Sequence, residues 1–199
     1  MNKKQITKRK IGEAAMKCFT RYGLDKTTLD DIAKAVGLNK ASLYYYYKNK
    51  ESIFLEVAVS EGERYLSSLQ EETVKKIGID KQVWYYMQSR FEYYQNILNM
   101  TRVSTETLNK ILPAFFELYD EMMKAEKIFL AHIIKNAVNA GEIQKVKENE
   151  VASVLINISD ALKHSVEQKA ILLNEQTVDY TQAISDMKFL VAHIFKGLK

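Results

Sequence analysis

The sequence predicts an all-α protein. Three observations carry that reading. One proline and seven glycines in 199 residues are sparse punctuation, and sparse punctuation goes with long helices. Period-two alternation bounded by turn signals is absent, as are Asn-Gly and Asp-Gly hairpin dipeptides. Apolar residues recur instead at three- and four-residue spacing, most plainly in Tyr180, Ala183, Ile184, Met187, Leu190, Val191, Ile194 and Phe195.

A first helix is expected over residues 4–22, where Ile11, Ala14, Ala15, Cys18 and Phe19 form one stripe and Gly23 follows as the stop. A second opens at Thr28, whose hydroxyl can cap it, with Asp31 three residues on in a capping-box position. Gly37 turns the chain, and Asn39 is the expected N-cap of a third helix over residues 40–47. A fourth begins at Asn49-Lys50 and runs towards residue 73. Asp80 is the expected cap of a fifth over residues 81–100. An irregular stretch is expected over residues 101–112, with Pro113 as the first position of the next helix, which ends before Gly141. Two more are expected over residues 148–173 and 177–197. This divides the chain into a head of residues 1–50, a linking helix of about 50–73, and a helical body of 74–199.

Hydrophobic content of 47% and charged content of 27% suit an ordinary globular protein. No apolar run approaches the ~18 residues of a membrane span, and no apolar segment of signal-peptide type follows the basic start. A cytoplasmic protein that does not engage membranes is expected. Cys18, the single cysteine, can form no disulfide within the chain and reads as a small buried residue.

The segment TTLDDIAKAVGLNKASLYYYYKNKESIF, residues 27–54, carries the most information. Two short helices joined by a Gly-containing turn form a helix-turn-helix, whose second helix fits the major groove of DNA. Charge agrees. Residues 1–50 hold 12 Lys and Arg against four acids, whereas the rest holds 17 against 21. A basic head on a mildly acidic body is the footprint of a polyanion-binding surface.

This segment closely resembles the TetR family of bacterial transcription regulators. The resemblance rests on Thr27, Thr28, Leu29, Ile32, Ala33, Val36, Gly37, Leu38, Asn39, Ala41, Ser42, Leu43, Tyr44, Tyr46, Tyr47, Lys50 and Ile53, and upstream on Ala14-Ala15, Phe19 and Tyr22-Gly23. Tyr46 stands where the family usually has His, Tyr47 where it has Phe, and Ile53 where it has Leu. The resemblance covers residues 5–60. It implies a dimeric, ligand-responsive regulator, a repressor in the leading reading, with no cofactor.

On a helix starting near Lys40, residues 40, 41, 44 and 45 share one arc, with Leu43 and Tyr47 turned inward. Lys40 is a plausible partner for guanine, the Ala41 methyl for a thymine methyl, and the Tyr44 hydroxyl for phosphate, with Tyr45 beside them. Lys50 adds its charge to a helix N-terminus, a phosphate site. Thr28 is a cap first and a backbone contact second, and Ser42 is a further hydroxyl contact. Lys3, Lys4, Lys8 and Arg9 read as an arm towards phosphate or the minor groove, or else as a solvated tail. Tyr46 and Tyr47 read chiefly as packing.

A head of this size does not need the long remainder to bind double-stranded DNA. Dimerisation on a near-palindromic operator and sensing of an effector are the expected tasks. Leu155, Ile158 and Leu162 with Met187, Leu190, Val191 and Ile194 are the expected interface, a four-helix bundle between two copies, as the family resemblance also implies. Aromatic and methionine side chains crowd residues 79–135. Trp84, Met87, Phe91, Tyr94, Phe115, Tyr119 and Met122 are the candidate lining of a pocket for a largely apolar small molecule, with Asn96, Arg90, Arg102 or His132 as polar groups. The bland reading is plain core. His132, His164 and His193 lack metal-ligand spacing, and neither a Gly-rich phosphate loop nor G-x-S-x-G occurs, so neither metal nor catalysis is expected. The competing function is a protein of this fold whose body engages a protein partner.

Overall fold

The computed structural model describes residues 2–199, with the side chains of residues 116–119 outside that description. Eight helices follow one another among the described residues: α1 Lys3–Tyr22, α2 Leu29–Val36, α3 Lys40–Tyr46, α4 Lys50–Thr73, α5 Ile79–Thr101, α6 Thr105–Asn139, α7 Glu148–Leu172 and α8 Thr181–Leu198. The fold is all-α. None of these helices is long and apolar enough to cross a membrane.

The first three helices close around Ile11, Ala15, Phe19, Leu24, Ile32 and Leu43, all fully buried. Ile53 and Phe54 of α4 complete this small core, Phe54 meeting Phe19 edge to face at 5.9 Å. The approach of α1 to α4 depends on Gly12, because a Cβ there would lie 2.7 Å from a methyl of Val57. Cys18 is buried, and burial pushes its thiol pKa up. Beyond the head, α7 packs along α6 and α8 along α5, while α4 touches α1, α5 and α6. The fourth helix therefore belongs to both layers.

Three helix starts differ from expectation, the simplest being α8, which begins at Thr181 and not at residue 177. α6 begins at Thr105 under an N-cap from Ser104, so Pro113 lies inside it and not at its first position. An interior proline costs ~3 kcal/mol. Leu108, Ile111 and Leu112 are buried by the two turns before it, and ~1.5–3 kcal/mol for each such side chain outweighs that cost. α5 begins at Ile79 after Gly78, with no cap from Asp80. The Glu142 carboxylate, far along the chain, accepts the Ile79 N–H at 2.6 Å instead.

The expected interface residues also divide. Leu155, Met187 and Val191 are buried in the chain's own core, which corrects their assignment to an interface. They are the centre lines of wide stripes, and the centre of the α8 stripe faces its packing partner α5. Ile158, Leu162, Leu190 and Ile194, at the stripe margins, stay half-exposed.

Candidate nucleic-acid interface and the cavity behind it

Side-chain caps fix the geometry of the helix-turn-helix. Thr28 Oγ1 accepts the Asp31 N–H at 3.2 Å, and the Asp31 carboxylate accepts the Thr28 N–H at 2.9 Å and its hydroxyl at 2.6 Å. These bonds hold the Asp31 carboxyl pKa below its ordinary value. Gly37 ends α2 in the left-handed conformation, φ 73° and ψ 30°, which glycine adopts without strain. Asn39 Oδ1 then caps α3 by accepting the Ser42 N–H at 2.7 Å.

These caps set which side of α3 looks outward. Leu43 is fully buried, and Tyr47 is buried with its hydroxyl donating to Glu56 at 2.9 Å. Burial, then the bond to Glu56, raises the Tyr47 pKa far above its ordinary value. Lys8 joins the arrangement, its ammonium 2.5 Å from Glu56 and 4.9 Å from the Tyr47 ring centre. Lys40, Ala41, Tyr44 and Tyr45 are left on the exposed face, with Tyr44 50% and Tyr45 73% exposed. Rings so open to water contribute less to the fold than buried ones. Lys40 pairs with Asp30 at 3.2 Å, an exposed pair worth about 0–1 kcal/mol and easily exchanged for an external acceptor.

Other expected contacts are placed differently. Thr28 is exposed but committed to its cap, and Ser42 is half-buried. The Lys50 ammonium donates to the main-chain carbonyl of Asp25 at 2.6 Å. Lys3, Lys4, Lys8 and Arg9 are no extended arm. They form the first turns of α1, whose start is held by a reciprocal Asn2–Gln5 capping box. The Lys4 ammonium lies 5.6 Å from the Tyr45 ring centre, so the basic turn adjoins the exposed face of α3.

Behind the head lies a narrow cavity of about 60 Å³, faced almost wholly by carbon. α4 contributes Phe54, Ala58, Val59 and Gly62, α5 contributes Tyr93, Tyr94, Ile97 and Leu98, and α6 contributes Leu108, Ile111, Leu112, Phe115 and Met122. Lys163, Glu167 and Tyr180 close one side. Of the expected lining, Tyr94, Phe115 and Met122 are there. Met87 and Phe91 are instead fully buried core, and Trp84 is turned away beneath Lys188, whose ammonium stands 5.7 Å from its ring centre. Tyr119 lies outside the described side chains. None of Asn96, Arg90, Arg102 and His132 lines the cavity. The α4 contribution escaped sequence reasoning, because α4 was read as a linking helix.

A buried charge cluster adjoins this side of the cavity. Arg90 meets Glu126 at 2.5 Å and donates to Ser159 at 2.7 Å, and the Tyr86 hydroxyl donates to Glu126 at 3.1 Å. Burial pushes the Glu126 pKa up against the pull of Arg90. Two turns along α7 from Ser159, Glu167 gathers Lys163 at 3.1 Å, His164 at 2.9 Å and the Tyr180 hydroxyl at 2.7 Å, and His164 also reaches Asp160 at 3.2 Å. Burial opposes charge on His164, yet its bonds to Asp160 and Glu167 outweigh burial and raise its pKa. Burial likewise opposes charge on Asp160 and Glu167, but His164 and Lys163 hold both below their ordinary values. Partners with complementary charge join α5, α6 and α7 in one arrangement, and a mispaired buried charge would be costly.

Comparison with known proteins adds a family. The sequence profile of bacterial regulatory proteins, tetR family, matches residues 11–57. The biofilm operon icaADBC HTH-type negative transcriptional regulator IcaR of Staphylococcus epidermidis is 55% identical over 47 residues, 24% of this chain and 25% of that protein. Its Staphylococcus aureus counterpart is 53% identical over the same length and shares. The chain thus spans about a quarter of the length of the curated relatives it matches. Solved structures extend the likeness to the whole fold. A transcriptional regulator from Cytophaga hutchinsonii superposes with a TM-score of 0.70 at 25% identity, covering 94% of this chain and 96% of that one. FadR from Bacillus subtilis in complex with stearoyl-CoA gives 0.56 at 15% identity, covering 96% and 99%.

Proposed function

We propose that this chain, whose residues 11–57 match the profile of the tetR family of bacterial regulatory proteins, is a dimeric DNA-binding transcription regulator of that family, a repressor released from its operator by a small, largely apolar effector. In this reading residues 1–50 are the DNA-binding domain, α4 is the link, and residues 74–199 are the effector-binding and dimerisation domain. The observation that carries the DNA-binding part is the exposed face of α3. Lys40, Ala41, Tyr44 and Tyr45 stand together on a helix whose opposite side is locked by Leu43 and Tyr47. Lys40 and Ala41 are set to read base edges, while Tyr44, Tyr45 and the basic first turns of α1 meet phosphates.

A symmetric dimer supplies two such helices at the spacing of successive major grooves. The outward faces of α7 and α8 suit that contact, since Val154 is 50% and Phe189 62% exposed, with Ile158, Leu162, Leu190 and Ile194 half-exposed beside them. The carbon-faced cavity supports an apolar effector, as does the stearoyl-CoA held by the FadR neighbour. At about 60 Å³ the cavity is far smaller than the ~300–1,000 Å³ of a typical small-molecule pocket. An effector must therefore bind an opened form, and such differential affinity is what a switch requires. The narrowness also favours the second reading, in which the body engages a protein partner and no small molecule.

Selection of bound duplexes from a randomised pool tests the reading. Enrichment of a near-palindrome with half-sites about one helical turn apart, ~10 base pairs, is expected. An unenriched pool overturns it.

A further inference from the structure

We propose that Asp25 is the positioning residue that ties the opening of the apolar cavity to the placement of the DNA-reading helices. This rests on the effector-responsive reading above. Asp25 lies in the short connection between α1 and α2, three residues before Thr28, the cap of α2. From there it is bonded to the starts of two longer helices. Its main-chain carbonyl accepts from the ammonium of Lys50, the first residue of α4, at 2.6 Å. Its carboxylate accepts the Thr107 hydroxyl at 2.6 Å and the N–H of Ser104, the N-cap of α6, at 3.3 Å. A carboxylate at a helix N-terminus is also favoured by the helix dipole.

α4 and α6 both wall the cavity, through Phe54, Ala58 and Val59 on one and Leu108, Ile111 and Leu112 on the other, and they pack against each other. Any occupant much larger than the present void must part them. Parting them pulls Asp25 from two sides, and Thr28, the cap of α2, lies three residues beyond it. The connection has an independent hold, because the Leu24 N–H donates to the Thr101 carbonyl at 2.8 Å. Removing the Asp25 side chain therefore cuts the tie to α6 but leaves the connection docked and the Lys50 bond to the main chain in place.

A mutant cycle on the full chain tests this without an identified effector. Ala58→Phe wedges the cavity open, with Val59→Phe as its replacement if Ala58→Phe lowers helicity. The readout is the Kd for a duplex selected by the native chain, measured by fluorescence anisotropy. The wedge is expected to weaken operator binding about tenfold where Asp25 is present. In Asp25→Ala, and equally in Thr107→Val, the wedge is expected to weaken binding by no more than about twofold. Asp25→Asn, which keeps an acceptor for Thr107, is expected to restore most of the wedge effect. A merely structural Asp25 would lower the melting temperature in every background without changing the ratio. The full tenfold loss in the Asp25→Ala and Thr107→Val backgrounds overturns the proposal and spares the effector reading. A folded wedge variant that binds the operator as well as the native chain overturns the effector reading itself, and the proposal with it.

Discussion

Tyr44 on α3 and Tyr47, the C-cap of that helix, stand three residues apart and meet opposite fates. Tyr47 is buried and bonded to Glu56, whereas Tyr44 is half in water. Tyr44→Ala is expected to weaken operator binding while helicity and melting temperature stay unchanged. Loss of stability with unchanged affinity would make Tyr44 a packing residue. Lys40→Ala is expected to change which base is preferred at one position, by roughly 1–3 kcal/mol if the contact is bidentate, and identical selected sites for native and variant would remove the base-reading role. This much was legible, because spacing alone turns residues 40, 41, 44 and 45 to one side. Lys50 was only half legible. Its place at the start of α4 follows from the sequence, but its bond to Asp25 depends on how the head meets α6. A second residue-scale expectation concerns pH. The raised pKa of His164 adds stability that is fully present below its unfolded value of about 6.5 and is lost as pH rises through the folded value. The lowered pKa values of Asp160 and Glu167 add stability that is present above about 4 and lost as pH falls. The stability gap between the native chain and His164→Gln should therefore be widest below about pH 6.5, while Asp160 and Glu167 stay ionised, and shrink as pH rises through the raised folded value of His164. Thermal melts with a gap independent of pH would contradict this.

At the scale of elements, amphipathic spacing located every helix but not every face. α8 carries a wide apolar stripe, so its pattern alone could not say which residues meet α5 and which meet a second copy. The structure assigns Met187 and Val191 to the first task and leaves Phe189, Leu190 and Ile194 outward. Val154→Glu combined with Phe189→Glu is accordingly expected to convert a dimer to a monomer, since each buried apolar side chain, worth ~1.5–3 kcal/mol, is lost twice by symmetry. Met187→Glu should instead unfold the chain. Sedimentation of a folded, unperturbed double variant as a dimer would place the interface elsewhere. The start of α6 was misread for a related reason. Pro113 is a strong local stop signal, and only the tertiary burial of Leu108, Ile111 and Leu112 overrides it. Those two turns supply one wall of the cavity.

For the whole molecule, the basic head, the capped helix-turn-helix and the exposed tyrosines make one claim: the chain recognises a DNA sequence through α3. Titration of the selected duplex against a scrambled one, from 50 to 200 mM salt, tests it most directly, using the native chain and Tyr44→Ala. Binding at least ~1,000-fold tighter to the selected duplex is expected. Log affinity should fall linearly with log salt, and Tyr44→Ala should bind more weakly throughout. Equal affinity for the selected and scrambled duplexes, or an affinity untouched by Tyr44→Ala, would contradict the account.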